Sequence, residues 1–207
     1  MESLIDRGAS LEGTLIMAAM RDQYDRVAEY LIRRGATDND ASALQRAAEE
    51  NPFIVHLLIE SLPDYSPKAL SRALISIVRA GHHLTARFLI DRGADVMSAD
   101  GRGVTLLMIA CQARDWCGLD MAMVRLLLDS GVAVNAVDHR GWTALHILAY
   151  DTSSLGEDTT NFRLEAGELI IKKGASLQIT NREGKTPSEI LRTDDARITG
   201  LFAGLGL

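Results

Sequence analysis

Gly131–Ala149 reads GVAVNAVDHRGWTALHILA. It opens on a glycine that follows the run Leu127–Ser130 (LLDS) and passes through the polar turn Asp138–Gly141. From Thr143 it continues into an apolar stretch. A glycine at that point takes the left-handed conformation that ends a helix. Thr143 suits the start of the next helix, where its hydroxyl can accept a bond from a free backbone N–H.

The same helix end recurs along the chain. Leu4–Ser10 is LIDRGAS, Leu31–Thr37 LIRRGAT, Leu89–Asp95 LIDRGAD, Leu127–Ala133 LLDSGVA and Ile170–Ser176 IIKKGAS, while Leu58–Leu62 (LIESL) keeps the aliphatic pair and loses the glycine. In each copy two aliphatic residues face a core and charged residues meet the pole of the helix. The cap positions Gly8, Gly35, Leu62, Gly93, Gly131 and Gly174 are spaced by 27, 27, 31, 38 and 43 residues. A second signal sets the register. Thr105, Thr143 and Thr186 each fall 12 residues after a cap glycine, in DGRGVTLLM, DHRGWTALH and NREGKTPSE. Units of this size cannot bury their apolar faces alone, so they stack, and a stack presents a continuous surface.

These motifs resemble the ankyrin repeat, a unit of about 33 residues with the pattern D-x-x-G-x-T-P-L-H-x-A and a second helix ending L-L-x-x-G-A-D-V-N-A. The resemblance spans essentially the whole chain and is strongest from about residue 84 onward. Leu106 and Ala144 stand in place of the proline, and Met108 and Glu189 in place of the histidine. Thr14 follows Gly8 by only 6 residues, so a turn is shortened there while Thr14–Met20 (TLIMAAM) still fits a first helix, and Ala41–Glu50 has no DxxG before it. The resemblance implies an all-α ankyrin-repeat solenoid of stacked helix–turn–helix units, with short β-hairpin turns in the C-terminal half. Residues 1–207 are expected to form one domain, with units 1–10 (partial), 11–37, 38–64, 65–95, 96–134, 135–176 and a cap at 177–207. Ser3–Ser10 reads as the end of a second helix without its first, which fits either a segment of a longer array or a shortened capping helix. Asp195–Leu207 is expected to close the other end with Ile198, Leu201 and Phe202 inward.

Composition bounds the function. An apolar content of 47 % suffices for a packed core, and a net charge of −6 disfavours a nucleic-acid phosphate backbone as the main ligand. No apolar stretch approaches the roughly 18 residues of a membrane span, and the start MESLIDRGAS is not a secretory signal. Cys111 and Cys117 match neither CxxC nor a metal-ligand spacing. Few cysteines point to an intracellular, reducing compartment, the cytoplasm first and the nucleus also compatible.

No nucleophile–base arrangement, phosphate-binding glycine loop or histidine metal set is present. The chain is therefore expected not to be an enzyme and to need no cofactor or metal. The run Gly156–Thr160 (GEDTT) reads as loop. His146 reads as a structural histidine bonding neighbouring turns, and Asn135 as the residue that braces the hairpin; the resemblance also makes that asparagine a possible target of hydroxylation.

The resemblance places the binding surface in a concave groove, at side chains after the turn aspartate and at the end of the first helix. Here these are Gly101, Arg102, Val104, Gln112 and Ala113; then His139, Arg140, Trp142, Tyr150 and Asp151; then Arg182, Glu183 and Lys185. Arginine, tryptophan and tyrosine dominate binding hot spots. Two insertions, Gln112–Met121 and Asp151–Phe162, fall in loops of the kind that often carry binding, with Trp116 as an exposed anchor or else a cover over its own repeat. The expected function is a monomeric protein-interaction module whose partner offers an acidic and apolar segment, with no nucleic acid and no membrane. A second reading is a regulatory or substrate-tethering segment of a larger receptor, enzyme or effector.

Overall fold

Helix ends close as the repeated motif predicts. At Gly35 the backbone N–H of the following Ala36 returns to the Leu31 carbonyl at 3.0 Å, and at Gly93 that of Ala94 returns to Leu89 at 3.0 Å. Ala175 returns to Ile170 at 3.2 Å in the same way after Gly174. These glycines hold φ between 89° and 96°, which the motif requires and an L side chain resists.

In the computed structural model the described residues are 10–19, 25–62, 64–112, 120–150, 157–191 and 196–203. They form α1 (Leu11–Ala19), α2 (Asp25–Arg33), α3 (Ser42–Glu50), α4 (Pro52–Ser61), α5 (Pro67–Ala80), α6 (His83–Asp91), α7 (Leu106–Ala110), α8 (Met121–Asp129), α9 (Ala144–Ala149), α10 (Glu157–Lys172), α11 (Pro187–Ile190) and α12 (Ala196–Phe202). The architecture is all-α, of the helix–turn–helix solenoid class. The one β feature among the described residues is an isolated bridge between Ala99 and Thr105. No helix there is long and apolar enough to cross a membrane.

The chain divides into two compact units, Met1–Asp95 and Val96–Leu207. In the first, α1, α3 and α5 pack side by side as first helices, and α2, α4 and α6 as second helices. Its core is built from Leu15, Leu31, Leu44, Ile54, Leu58, Leu74, Ile77 and Leu89. Ala19, Ala28, Ala43, Ala47, Ala73 and Ala86 are fully buried between helices, where a small side chain allows close approach. In the second unit the first helices are α7, α9 and α11 and the second helices α8, α10 and α12. Leu106, Leu107, Met108, Met123, Leu127, Leu145, Leu148 and Ile170 fill its core, and Ile198, Leu201 and Phe202 are buried at the C-terminal end as expected.

Three local readings change. Thr14 does not start its helix: α1 begins at Leu11, the Ser10 carbonyl accepts from Thr14 N–H at 3.0 Å, and the Thr14 hydroxyl donates to the same carbonyl at 2.9 Å. The Asp38 carboxylate takes the part of the missing turn before α3. It accepts from the N–H groups of Ala43 and Leu44, both at 2.9 Å, so the helix starts without a DxxG motif. Finally, the second insertion is not a loop throughout, because Glu157–Phe162 forms the first turns of α10.

Candidate functional site

The turns of the unit Val96–Leu207 are built alike. One side-chain oxygen of Asp100 accepts from Arg102 N–H at 2.8 Å and Val104 N–H at 3.0 Å. Asp138 accepts from Arg140 and Trp142 at 2.8 and 2.9 Å. Asn181 does the same for Glu183 and Lys185 at 2.9 and 3.0 Å. The ends of each turn are closed by backbone bonds, Asp138 N–H to the Trp142 carbonyl and Gly141 N–H to the Asp138 carbonyl among them. Successive turns then join directly. His139 N–H donates to the Arg102 carbonyl at 3.0 Å, and Arg182 N–H to the Arg140 carbonyl at 2.9 Å. Gly141 is required by this contact: its φ is +77°, and a Cβ there would lie 3.0 Å from the Arg182 nitrogen.

That ladder fixes what the side chains can do. Arg102, Val104, Gln112, His139 and Arg140 line one cleft of about 440 Å³, together with Asp138. Arg140 is held from two sides. Its Nε donates to the buried Asp138 carboxylate at 3.0 Å, and its guanidinium lies 4.4 Å from the centre of the Trp142 ring. Trp142 meets Tyr150 edge-on, ring centres 5.1 Å apart, and Tyr150 is exposed. Arg102 pairs more loosely with Asp100 at 3.6 Å and stays largely exposed, and Lys185 pairs with Glu183 at 3.2 Å. The surface is therefore less basic than its count of arginines and lysines suggests, because these cations meet a carboxylate of their own turn.

Five of the residues read from sequence thus share one cleft. Trp142 and Tyr150 border Arg140, and Arg182 is joined to Arg140 through the backbone. Lys185 is reached from below: the buried His146 donates from Nε2 to the Lys185 carbonyl at 3.1 Å while its Nδ1 accepts from Thr143 N–H at 3.1 Å. Burial holds the His146 imidazole below its ordinary pKa, against the Lys185 carbonyl and Asp138, which act the other way. Trp116, Ala113 and Asp151 lie outside the described residues.

Some participants escaped the sequence reading. Asp138 was legible as a turn former but not as the wall of the cleft. Arg163 is buried on α10 and donates from Nη1 to the carbonyls of Leu148 and of Tyr150, the latter at 3.0 Å, capping α9 beneath the exposed ring. Nothing in the spacing of Phe162–Leu164 marks it. In the unit Met1–Asp95 the shortened turns leave a cleft of about 470 Å³ lined by Asp38, Asp40, Asp64, Tyr65 and Arg72 among others. The Tyr65 hydroxyl donates to Asp38 at 2.8 Å, and burial with that anionic neighbour pushes its pKa well above the usual phenol range. Cys111 is fully buried and its thiol is pushed up to about 12, so it is an inert packing residue.

A family model described as ankyrin repeats, in three copies, matches residues 74–181, just over half of the chain. The chain belongs to the ankyrin repeat family. Its fold is similar to the crystal structure of an ankyrin repeat domain from Acinetobacter baumannii AYE, with a TM-score of 0.74 and 26 % identity over 93 % of this chain and 97 % of that one. It is also similar to the ankyrin repeat domain of Bcl-3, described as a unique member of the IkappaB protein family. There the TM-score is 0.68 with 24 % identity over 92 % and 81 % of the two chains, a likeness of fold alone. No curated protein matches the sequence significantly. Within these ankyrin repeats His146 is the histidine of the first-helix motif, and the bond to Lys185 is one that Met108, at the equivalent position, has no polar ring to make. Ankyrin repeats are generally protein–protein interaction modules and typically not enzymes.

Proposed function

We propose that this protein is a non-enzymatic interaction module that binds a partner protein through the cleft of the unit Val96–Leu207 and its aromatic border. The observation that carries the reading is the posture of Arg140. Asp138 and Trp142 hold it before any partner arrives, at the lip of a cleft shared with Arg102, Val104, Gln112 and His139. A preordered arginine beside an exposed tyrosine loses little entropy on association. Its remaining guanidinium N–H groups, with Arg102 in the same cleft, suit a carboxylate, while Trp142 and the exposed Tyr150 suit apolar side chains. The partner is an acidic, partly apolar protein segment rather than a nucleic acid, in keeping with a chain of net charge −6. The protein works as an intracellular monomer without a cofactor.

The test is affinity capture with the wild-type chain beside a variant carrying Arg140→Glu and Trp142→Ala. A partner retained by the wild type and lost by the variant identifies both ligand and surface. Partners held equally by the two proteins refute the cleft as the binding surface.

A further inference from the structure

In three repeats the second helix begins at a fixed distance from its end. Counted back 11 residues from the cap positions Leu62, Gly93 and Gly131 stand Asn51, His82 and Asp120, the N-caps of α4, α6 and α8. Counted back 11 residues from Gly174 stands Arg163, which lies inside α10, six residues past its first residue Glu157. This helix has 16 residues where α8 has 9. The insertion that lengthens it has turned a helix start into a buried arginine.

Arg163 sits beneath the ends of two first helices. Its Nη1 donates to the Leu148 and Tyr150 carbonyls at the end of α9. Burial raises the pKa of Cys111, the C-cap of α7, and the nearby Arg163 cation acts the other way. The two helices end differently. Gln112 and Tyr150 each stand 7 residues after the threonine that starts the helix, Thr105 or Thr143. At α7 the backbone keeps a helical turn: Cys111 has φ −82° and ψ −9°, and Gln112 N–H returns to the Ile109 carbonyl at 3.1 Å. At α9 Tyr150 swings to extended backbone, φ −76° and ψ 135°. That swing turns its carbonyl away from the helical path, and Arg163 supplies the donor. The Tyr150 N–H is bonded in turn to the His146 carbonyl at 3.0 Å.

Both backbone polar groups of Tyr150 are thus held, which sets the direction of its Cα–Cβ bond. The ring is 56 % exposed and stands edge-on to Trp142, the ring that flanks Arg140. Burying a cation is costly even when it is bonded. Here the guanidinium holds an exposed ring at the border of the cleft.

We propose that Arg163 is a positioning residue for the binding cleft. Through the Tyr150 backbone it holds the aromatic border in its binding posture, and the second insertion serves the cleft by lengthening α10 to bring this guanidinium under α9. The inference rests on the cleft of the unit Val96–Leu207 being the binding surface.

A displayed library of random peptides, selected on the full chain, supplies the probes. Enriched peptides lost on R140E/W142A are cleft ligands. Their affinities are then measured well below the melting temperature of each variant, where every chain is folded. R163M is expected to weaken them about tenfold, mainly through faster dissociation. Y150A weakens them too, and Y150A/R163M is no weaker than Y150A alone. R163K keeps a cation without the planar fork and falls between wild type and R163M; it carries the test if R163M does not fold. A residue that only stabilises the fold lowers the melting temperature and leaves these affinities alone. Cleft ligands bound normally by R163M and R163K therefore overturn the proposal and leave the cleft standing. So does a further loss in Y150A/R163M as large as that in R163M itself, since Arg163 then acts by a route other than Tyr150. A library with no peptide lost on R140E/W142A removes the cleft reading, and this inference with it.

Discussion

Asn135 holds Ser176 across the step from one repeat to the next: its side-chain oxygen accepts from the Ser176 backbone N–H at 2.8 Å, and its amide donates to the Gly174 carbonyl at 2.9 Å. One side chain thereby satisfies both sides of a neighbouring turn. Both bonds are exposed, so water replaces them in part when the amide is removed. Asn135→Ala is expected to cost about 1 kcal/mol, a fall in melting temperature of about 2–4 °C for a domain of this size. Thermal denaturation followed by circular dichroism checks it, and an unchanged midpoint would count against the bracing role.

Arg163 should matter more. It is buried, and its bond to the Leu148 carbonyl at the end of α9 is buried with it, while the bond to the Tyr150 carbonyl is part-buried. Arg163→Met keeps the aliphatic bulk and removes the donors. The expected loss is about 2–3 kcal/mol, larger than that of Asn135→Ala in the same denaturation series. Because Arg163 bonds the Tyr150 carbonyl, the fluorescence of Trp142 should change with it. A variant as stable as wild type, with unaltered emission, would show the guanidinium to be dispensable.

His146 gives the fold a pH dependence whose sign is set by burial. Its folded pKa lies below 6.5, so the unfolded chain binds more protons between the two values. Stability from this group is complete above 6.5 and is lost as pH falls from there toward the folded pKa. Wild type should therefore lose melting temperature between about pH 7 and about pH 5 more steeply than His146→Gln does. Parallel curves for the two proteins would assign the acid sensitivity elsewhere.

Amide exchange should divide the chain. In the unit Val96–Leu207 successive turns are joined through the backbone at Arg102–His139 and Arg140–Arg182, while the shortened turns around Asp38 and Tyr65 meet through a side-chain bond. In stacked arrays stability is local plus nearest-neighbour. Described residues up to 62 should exchange faster than those in 100–112 and 120–150. Uniform protection would sink the idea.

Two substitutions in the cleft should separate in kinetics. Arg140→Glu reverses an exposed charge and should mainly slow association and flatten its salt dependence. Trp142→Ala removes the ring beneath Arg140 and beside Tyr150 and should mainly speed dissociation. Surface plasmon resonance with the captured partner resolves both rates. Wild-type rates in both variants would refute the cleft as the binding surface.

The fold was legible because its signals are local and repeated. A glycine after two aliphatic residues has one conformation that ends a helix, and Gly35, Gly93, Gly131 and Gly174 all adopt it. Thr105 and Thr143 cap the helices they precede, accepting from Met108 and His146 N–H at 3.4 Å. Where the motif had eroded, local rules misplaced the boundary: Thr14 lies inside α1, and the nearby Asp38 carboxylate does the work of a DxxG turn.

The amino-acid order alone thus determined the helical units, their caps and the equivalent positions at the turn tips. Those depend on bonds within a few residues of one another. Only the tertiary structure decided which of those tips share a cleft, that Asp138 clamps Arg140 against Trp142, and that Arg163 supports Tyr150 from α10. It also stacked His56 on Phe88, from residues 32 apart in the chain. Stacking sets these relations, because it places side chains by the packing of whole helices, and no short stretch of sequence carries that distance.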